Sequence, residues 1–245
     1  MRIGFTSVTF REKTAEEVIE LARASGAQGM EWGGDVHVPP GNLERAKQIR
    51  RACEEQGLRV FSYGSYLRCL PGEDIHAVME TTKALAAPMI RVWAGDLNEG
   101  FQAVAGNLKE ITLAAGAQGM NIGLEYHRGT FTQNKESALA LLDAVNAENL
   151  YCYWQPNPQL CFDEHLREIH ALGKKLAKLH VFCWRRERQR DVRHALSAGR
   201  EEWLGYIKAA RQYTDPDLIL EFVKDDCEQQ FLEDMRTLKI IAERV

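Results

Sequence analysis

The chain has 245 residues, of which 45% are hydrophobic and 27% charged, a composition typical of a globular protein with a packed core. The formal net charge is −4, and no dense tract of lysine and arginine offsets it, which argues against nucleic acid as the main partner. The six cysteines form no CxxC pair and no apolar run reaches membrane length, so we expect a cytoplasmic protein with reduced thiols and no membrane partner.

Apolar, β-prone runs alternate with amphipathic helical segments along the chain. The first helical pattern begins at Thr14, a predicted N-cap, and ends at Gly26. A second pattern with a polar cap and a glycine stop covers 42–57, and a last helix is predicted over about 226–243. The predicted strands cover 2–8, 29–33, 58–63, 89–94, 121–126, 149–154, 177–183 and 217–222.

The number and spacing of these segments indicate the fold. Eight strand–helix units in 245 residues average about 31 residues each, the unit length of a (β/α)8 barrel. The strands are nearly continuous apolar runs, as expected for a parallel sheet covered by helices. A doubly wound open sheet would need a glycine-rich phosphate turn that we do not find. The sequence therefore predicts an α/β protein, a single-domain TIM barrel over 1–245, with the basic stretch 184–193 as a solvated loop.

Polar side chains of catalytic types follow the predicted strands. Glu125 and Glu221 end the fifth and eighth strands, and His180 lies in the seventh. The site of a (β/α)8 barrel lies at the carboxyl ends of its strands, and an unpaired carboxylate is costly to bury there. We therefore interpret both acids as functional, although each could instead pair with an arginine or cap a helix. Two carboxylates and one imidazole suit Mn, Mg, Co or Zn.

In chain order the strand ends read "GMEWGGDVHVPPGN", "IRVWAG", "GLEYHRGTFT", "KLHVF" and "LILEFVKDD". Together they resemble the xylose isomerase-like superfamily of barrels, in particular its sugar-phosphate isomerase/epimerase branch, over essentially the whole chain. In that family a divalent metal is held by Glu of strand 5, Asp of strand 6, His of strand 7 and Glu of strand 8. The resemblance therefore implies Glu125, His180 and Glu221 as metal ligands, with Gln155 at the strand-6 position.

Gln155 departs from the family pattern. Strand 6 of the family often ends in Asp-Pro-x-His, whereas this chain reads "QPNP" over 155–158. An amide oxygen can coordinate a hard cation, but the negative charge of the acid is missing. We therefore expect Gln155 to be a weaker ligand than the aspartate it replaces.

The resemblance also implies a reaction and a set of pocket residues. We expect a metal-assisted isomerase or epimerase of a small sugar or polyol derivative, in which Glu125 and Glu221 move a proton through an enediolate. The alternatives are a dehydratase or lyase on a related keto-sugar or keto-polyol, and a non-catalytic ligand-binding barrel that lost its metal with the strand-6 acid. The partner would be a small carbohydrate-like substrate, and a homo-oligomer is compatible with such barrels. The side chains expected to line the pocket are those of Glu31, His37, His127 and Arg128.

Some of these residues also have a plain structural interpretation. His127 follows Glu125 by two positions and so shares its face of the strand. His37 could instead be a loop residue that bonds the backbone. For Arg91, pairing with a barrel acid is favoured over binding an anionic substrate. Packing is likewise favoured over sugar contact for the strand-end tryptophans Trp32, Trp93 and Trp184.

Overall fold

Eight parallel strands close into a barrel in the computed structural model, which describes all 245 residues. The barrel strands are β1 (Ile3–Thr6), β2 (Gly29–Gly33), β3 (Arg59–Gly64), β4 (Met89–Val92), β5 (Asn121–Glu125), β6 (Leu150–Trp154), β7 (Leu176–Val181) and β10 (Asp217–Leu220). Each strand pairs with the next along the chain, and β10 pairs with both β7 and β1 to close the ring. The predicted single-domain (β/α)8 barrel is therefore confirmed.

Eight helices cover the outside of the barrel: α1 (Ala15–Ser25), α2 (Leu43–Glu55), α3 (Ile75–Leu85), α4 (Phe101–Gly116), α5 (Lys135–Val145), α6 (Phe162–Leu172), α7 (Arg200–Ala210) and α8 (Glu228–Ala242). The first helix begins and ends as its sequence predicts. Thr14 and Glu17 form a reciprocal capping box, and Gly26 ends the helix with φ of 61°. None of the helices combines the length and the apolar character needed to cross a bilayer.

The prediction of a solvated loop over 184–193 is wrong. This stretch forms an antiparallel hairpin of β8 (Cys183–Glu187) and β9 (Arg190–His194), inserted after β7. Its two central residues, Arg188 and Gln189, have φ of 44° and 70°. Two-residue hairpin turns of type I′ need positive φ at both central positions, and asparagine and glycine usually supply it. Because neither residue occurs there, the stretch carries no turn signal that could be read from sequence.

The hairpin is joined by ion pairs to loops on both sides. Arg128, after β5, contacts Asp191 at 2.7 Å, and Arg193 contacts Asp226, after β10, at 2.5 Å. The hairpin therefore spans part of the barrel mouth, at the end where the strands terminate.

The opposite end of the barrel, where the strands begin, holds a cluster of paired charges. Lys178 Nζ lies 2.5 Å from Asp217 Oδ2, and Arg2 donates to both oxygens of the same carboxylate at 2.8 and 2.6 Å. The Lys178 ammonium also lies 5.7 Å from the ring centre of Phe61. Each of these three charged side chains has a close partner of opposite charge, so we interpret the cluster as structural.

Candidate metal centre and active site

Three side chains from separate strands meet at the mouth of the barrel. Glu125 is the last residue of β5, His180 lies near the end of β7, and Glu221 directly follows β10. His180 Nδ1 is 3.5 Å from Glu125 Oε1 and 3.4 Å from Glu221 Oε2. One possible ligand atom from each residue lies within 4.8 Å of the other two, and all three residues are buried. The structure thus brings together the three residues that the resemblance implied as ligands.

The chemistry of this cluster fits a divalent metal ion. Both ring nitrogens of His180 are buried and have no hydrogen-bond partner. Such orphaned polar atoms are rare in folded proteins, and they often mark a place where an ion or a water molecule binds. Carboxylate oxygens and an imidazole nitrogen are ligands for Mn, Co and Zn, and carboxylates alone suit Mg. An ion on the Nδ1 side of His180 would lie between the two glutamates.

Arg91 ties two of the buried carboxylates together. Its Nε donates to Glu31 Oε1 at 2.9 Å, and its Nη1 donates to Glu125 Oε2. Trp93 Nε1 donates to the same Glu125 oxygen at 2.5 Å. Oε2 of Glu125 is therefore fully engaged, which leaves Oε1 as the oxygen that faces His180.

Glu31 lies beneath the cluster rather than in a pocket. Its side chain is fully buried, accepts a hydrogen bond from Ser62 Oγ at 2.9 Å, and approaches His180 Nε2 at 3.6 Å. A carboxylate on the far nitrogen of a metal-binding histidine commonly fixes the orientation of its ring. Glu31 is placed to do this for His180.

The charges of the cluster are unequal. Burial opposes ionisation of Glu125, but Arg91 and His180 outweigh it and hold the pKa of that carboxyl at about 2. Burial also disfavours the imidazolium of His180, yet Glu221, Glu125 and Glu31 raise its pKa to about 10. When the imidazole is neutral, as a metal ligand must be, the three carboxylates of Glu31, Glu125 and Glu221 are opposed by the single positive charge of Arg91, which leaves an excess of two negative charges. A divalent cation would balance that excess.

A cavity of about 340 Å³ opens above the cluster. Glu125, Gln155 and Glu221 are among its polar wall residues, and His127 and Arg128 also line it. Much of the remaining wall is aromatic and consists of Tyr66, Trp93, Phe182, Trp184 and Phe222. A concave, mostly apolar site with a few convergent polar groups is the usual form of a small-molecule site.

Two residues expected in the pocket do not reach this cavity. Glu31 is covered by the residues above it, and His37 is 4% exposed and bonds the Lys13 carbonyl oxygen through Nε2 at 3.0 Å. His37 also packs edge-on against Trp32, with ring centres 5.8 Å apart. The structure thus matches the backbone-bonding alternative for His37, and it places Glu31 as a support for His180.

The comparison with known protein families decides the identity of the fold. A family model described as xylose isomerase-like TIM barrel matches residues 19–241, nearly the whole chain. The chain belongs to this family. No curated protein sequence is similar enough to count as a match.

Solved structures support the same assignment for this xylose isomerase-like barrel. The probable 3-DHS dehydratase AsbF of Bacillus anthracis has a TM-score of 0.80 at 17% identity, covering 98% of this chain and 99% of that one. A D-allulose 3-epimerase from Methylomonas sp. has a TM-score of 0.74 at 13% identity, covering 100% and 98%. The IolI protein with a bound zinc atom has a TM-score of 0.73 at 14% identity, covering 99% and 96%. At such identities the likeness shows the fold alone.

Gln155 directly follows β6 in this xylose isomerase-like barrel. Its side-chain Nε2 donates to the Tyr126 carbonyl oxygen and lies 3.5 Å from Glu125 Oε1. The amide thus touches the β5 end that carries Glu125.

Sequence reasoning missed several residues around the cavity. Trp93 is more than the packing residue that its sequence position favours, since it stacks on His127 at 4.6 Å between ring centres and its indole donates to Glu125. Arg91 lies in β4 and Trp93 directly follows that strand, so the two are two positions apart and point to the same side, a signal that "IRVWAG" contained. Glu168 of α6, which also lines the cavity, accepts from Trp154 Nε1 at 2.8 Å; its distance in sequence from any strand end left no signal.

Proposed function

We propose that this protein is a metal-assisted isomerase or epimerase of a small sugar or polyol derivative. The observation that carries the proposal is the convergence of Glu125, His180 and Glu221 beside a cavity of about 340 Å³. An epimerase and a probable dehydratase among the proteins with this fold support the class of chemistry.

The three converging residues would hold a divalent ion, one of Mn, Mg, Co and Zn. When bound, the ion supplies stabilisation of negative charge on substrate oxygens. Oε1 of Glu125 and Nδ1 of His180 face the space between the ligands, and Arg91 and Trp93 keep Glu125 oriented. Gln155, at the family's strand-6 position, is the remaining candidate for a ligand.

Glu221 is the better placed of the two acids to take a proton from the substrate. No side chain donates a hydrogen bond to its carboxylate, so its oxygens face the cavity and His180 without competition. Glu125, three strands away in the barrel, would be the second acid/base group. Positioned acid/base groups of this kind contribute about 10²–10⁴-fold in rate.

The remaining polar residues at the cavity would bind the substrate. His127 stacks on Trp93, and Arg128 pairs with Asp191 of the hairpin. Both would contact substrate hydroxyl or carbonyl groups. We further propose that the protein acts in the cytoplasm on a carbohydrate-like small molecule rather than on nucleic acid or a membrane, and that copies form a homo-oligomer, which light scattering of the purified protein would test.

A dehydratase or lyase is the second candidate, favoured by the probable 3-DHS dehydratase with the same fold. It would remove a proton beside a carbonyl in the same way and then expel a hydroxide or alkoxide instead of returning the proton. The products therefore separate the two reactions.

Hydrogen exchange in D2O tests both reactions together. We would follow D-allulose, 3-DHS and related keto-polyols by NMR with excess Mn²⁺, expecting exchange at a carbon next to the carbonyl of the true substrate. Glu221→Gln should slow that exchange by about 100-fold or more. The control Glu201→Gln changes an exposed acid of α7 and should have no effect. Absence of both exchange and stoichiometric metal would leave the non-catalytic barrel.

A further inference from the structure

The side chain of Gln155 occupies a defined place in the hydrogen bonding between β5 and β6. The two strands pair in parallel, with Glu125 opposite Tyr153. Just beyond that pair, the Tyr126 N–H donates to the Tyr153 carbonyl at 3.0 Å. In a parallel ladder the next bond would run from a backbone N–H at position 155 to the Tyr126 carbonyl.

That next backbone bond is absent. No main-chain donor reaches the Tyr126 carbonyl, and the side-chain Nε2 of Gln155 donates to it instead. The side-chain amide of Gln155 therefore replaces the missing main-chain hydrogen bond and extends the β5–β6 pairing past Glu125. We call this Gln155–Tyr126 hydrogen bond the side-chain rung.

The partners of the amide fix which of its two ends faces Glu125. The neighbouring groups are the Tyr126 carbonyl oxygen and Glu125 Oε1, the latter at 3.5 Å, and both accept hydrogen bonds. An amide oxygen in that place would lie against two acceptors, so the NH2 group must be there. A nitrogen with two hydrogens has no lone pair to offer a metal ion.

We propose that Gln155 is a positioning residue, which donates to the Tyr126 carbonyl to fix Glu125 and leaves the metal with three protein ligands: Glu125, His180 and Glu221. An aspartate or glutamate could not take this role, because an ionised carboxylate cannot donate a hydrogen bond. This donor role explains why a neutral amide, rather than an acid, occupies position 155. The ligand count rests on the proposed metal function, whereas the rung does not.

The matching test replaces each of two cavity glutamines by methionine, which has similar length and no donor. Gln155→Met removes the rung. Gln133→Met is the control, since Gln133 lines the same cavity but only accepts a hydrogen bond, from Gly129 N–H at 3.3 Å. Thermal unfolding is measured with chelator present, so that no metal contributes.

We expect Gln155→Met to lower the melting temperature of the chelated protein by about 2–4 °C, and Gln133→Met to leave it within error. The Kd for Mn²⁺, measured by calorimetry, should rise a few-fold in Gln155→Met and not in Gln133→Met, because Glu125 would be less well oriented. An unchanged melting temperature in Gln155→Met would overturn the rung, whether or not the protein binds metal.

A crystal structure of the Mn²⁺-loaded wild type decides the ligand count. We expect the Gln155 amide nitrogen to remain on the Tyr126 carbonyl, with no Gln155 atom near the ion. A Gln155 oxygen at coordination distance, about 2.0–2.4 Å, would overturn the positioning role. Failure of the wild type to bind Mn²⁺ or Zn²⁺ would count against the proposed metal function instead, and the unfolding comparison would still stand.

Discussion

The charged clusters at the two ends of the barrel interior differ in whether their polar atoms have hydrogen-bond partners. At the lower end, Asp217 accepts three hydrogen bonds from Arg2 and Lys178, and no polar atom of the cluster lacks a partner. At the mouth, Arg91 pairs with Glu31 and Glu125 but not with Glu221, and both nitrogens of His180 are without a hydrogen bond. The lower cluster is therefore complete in itself, whereas the cluster at the mouth still has unpaired polar atoms and unbalanced charge.

The largest effect should come from breaking the lower cluster. Asp217→Asn leaves two cations without their carboxylate partner, and Lys178 is 4% exposed. Removing one partner of a buried ion pair costs about 3–5 kcal/mol. We expect a loss of that size in the free energy of unfolding, measured by urea titration. In the metal-free protein, where the raised pKa of His180 keeps its ring protonated, the matched change Glu221→Gln at the mouth removes the one negative charge left unbalanced and should cost little. Equal losses in the two variants would mean that the two clusters do not differ in kind.

The next largest effect should come from adding a divalent metal ion to the incomplete cluster at the mouth (Glu125, His180 and Glu221), which should stabilise the folded state. A divalent ion at about 100 times its Kd stabilises the folded state by about 2.7 kcal/mol if it binds only that state. For a chain of this length that corresponds to a rise in melting temperature of about 5–11 °C. Differential scanning fluorimetry with Mn²⁺, Mg²⁺, Co²⁺ and Zn²⁺ added to chelator-treated protein measures it. The rise should vanish in Glu221→Gln, and a rise that persists there would place the ion elsewhere.

A smaller effect should follow from changing the support beneath the cluster at the mouth. Glu31→Gln keeps the shape of the side chain but weakens its hold on Arg91 Nε and on the Nε2 side of His180. Loss of such a supporting carboxylate typically lowers metal affinity by about 10–100-fold. Calorimetric titration with Zn²⁺ would show the change. An unaltered Kd would mean that Glu31 does not orient His180.

The smallest expected effect comes from an acid that belongs to neither cluster. Burial raises the pKa of Glu168 to about 7, against the opposing hydrogen bond from Trp154. A pKa raised on folding gives stability that is complete below the unfolded value of about 4.5 and is lost as pH rises to about 7. We expect the free energy of unfolding to fall by about 1–3 kcal/mol over that range. Glu168→Gln should remove this part of the pH dependence, and an identical pH profile in the variant would exclude Glu168 as its source.

The sequence was sufficient for the barrel and for the meeting of Glu125, His180 and Glu221. Both follow from local signals: strand and helix periodicity repeats eight times, and residues at the ends of parallel strands converge whatever the details. The sequence could not predict that Glu31 lies below the cavity instead of lining it, because that depends on how neighbouring strands are shifted along the barrel axis. The hairpin was missed because Arg188 and Gln189 take a turn conformation that usually calls for glycine or asparagine.

Gln155 shows a different limit of sequence reasoning. The sequence correctly places it at the end of β6, and its residue type suggests an amide oxygen offered to a metal. The contact that matters is with the backbone of the neighbouring strand, at Tyr126. It depends on the register of β5 against β6 and on a missing main-chain bond, which only coordinates reveal.

The ion pairs that hold the hairpin after β7 make the entrance of the cavity sensitive to salt concentration. Arg128–Asp191 and Arg193–Asp226 connect it to the loops on either side; the side chain of Arg128 is 48% exposed to water and that of Asp226 is 62% exposed. Attraction between exposed charges weakens as salt is added, since the Debye length falls from about 10 Å at 0.1 M to 3 Å at 1 M. Added salt should therefore weaken the ion pairs that hold the hairpin at the mouth, whereas the buried pairs of Arg91 with Glu31 and Glu125 are screened much less.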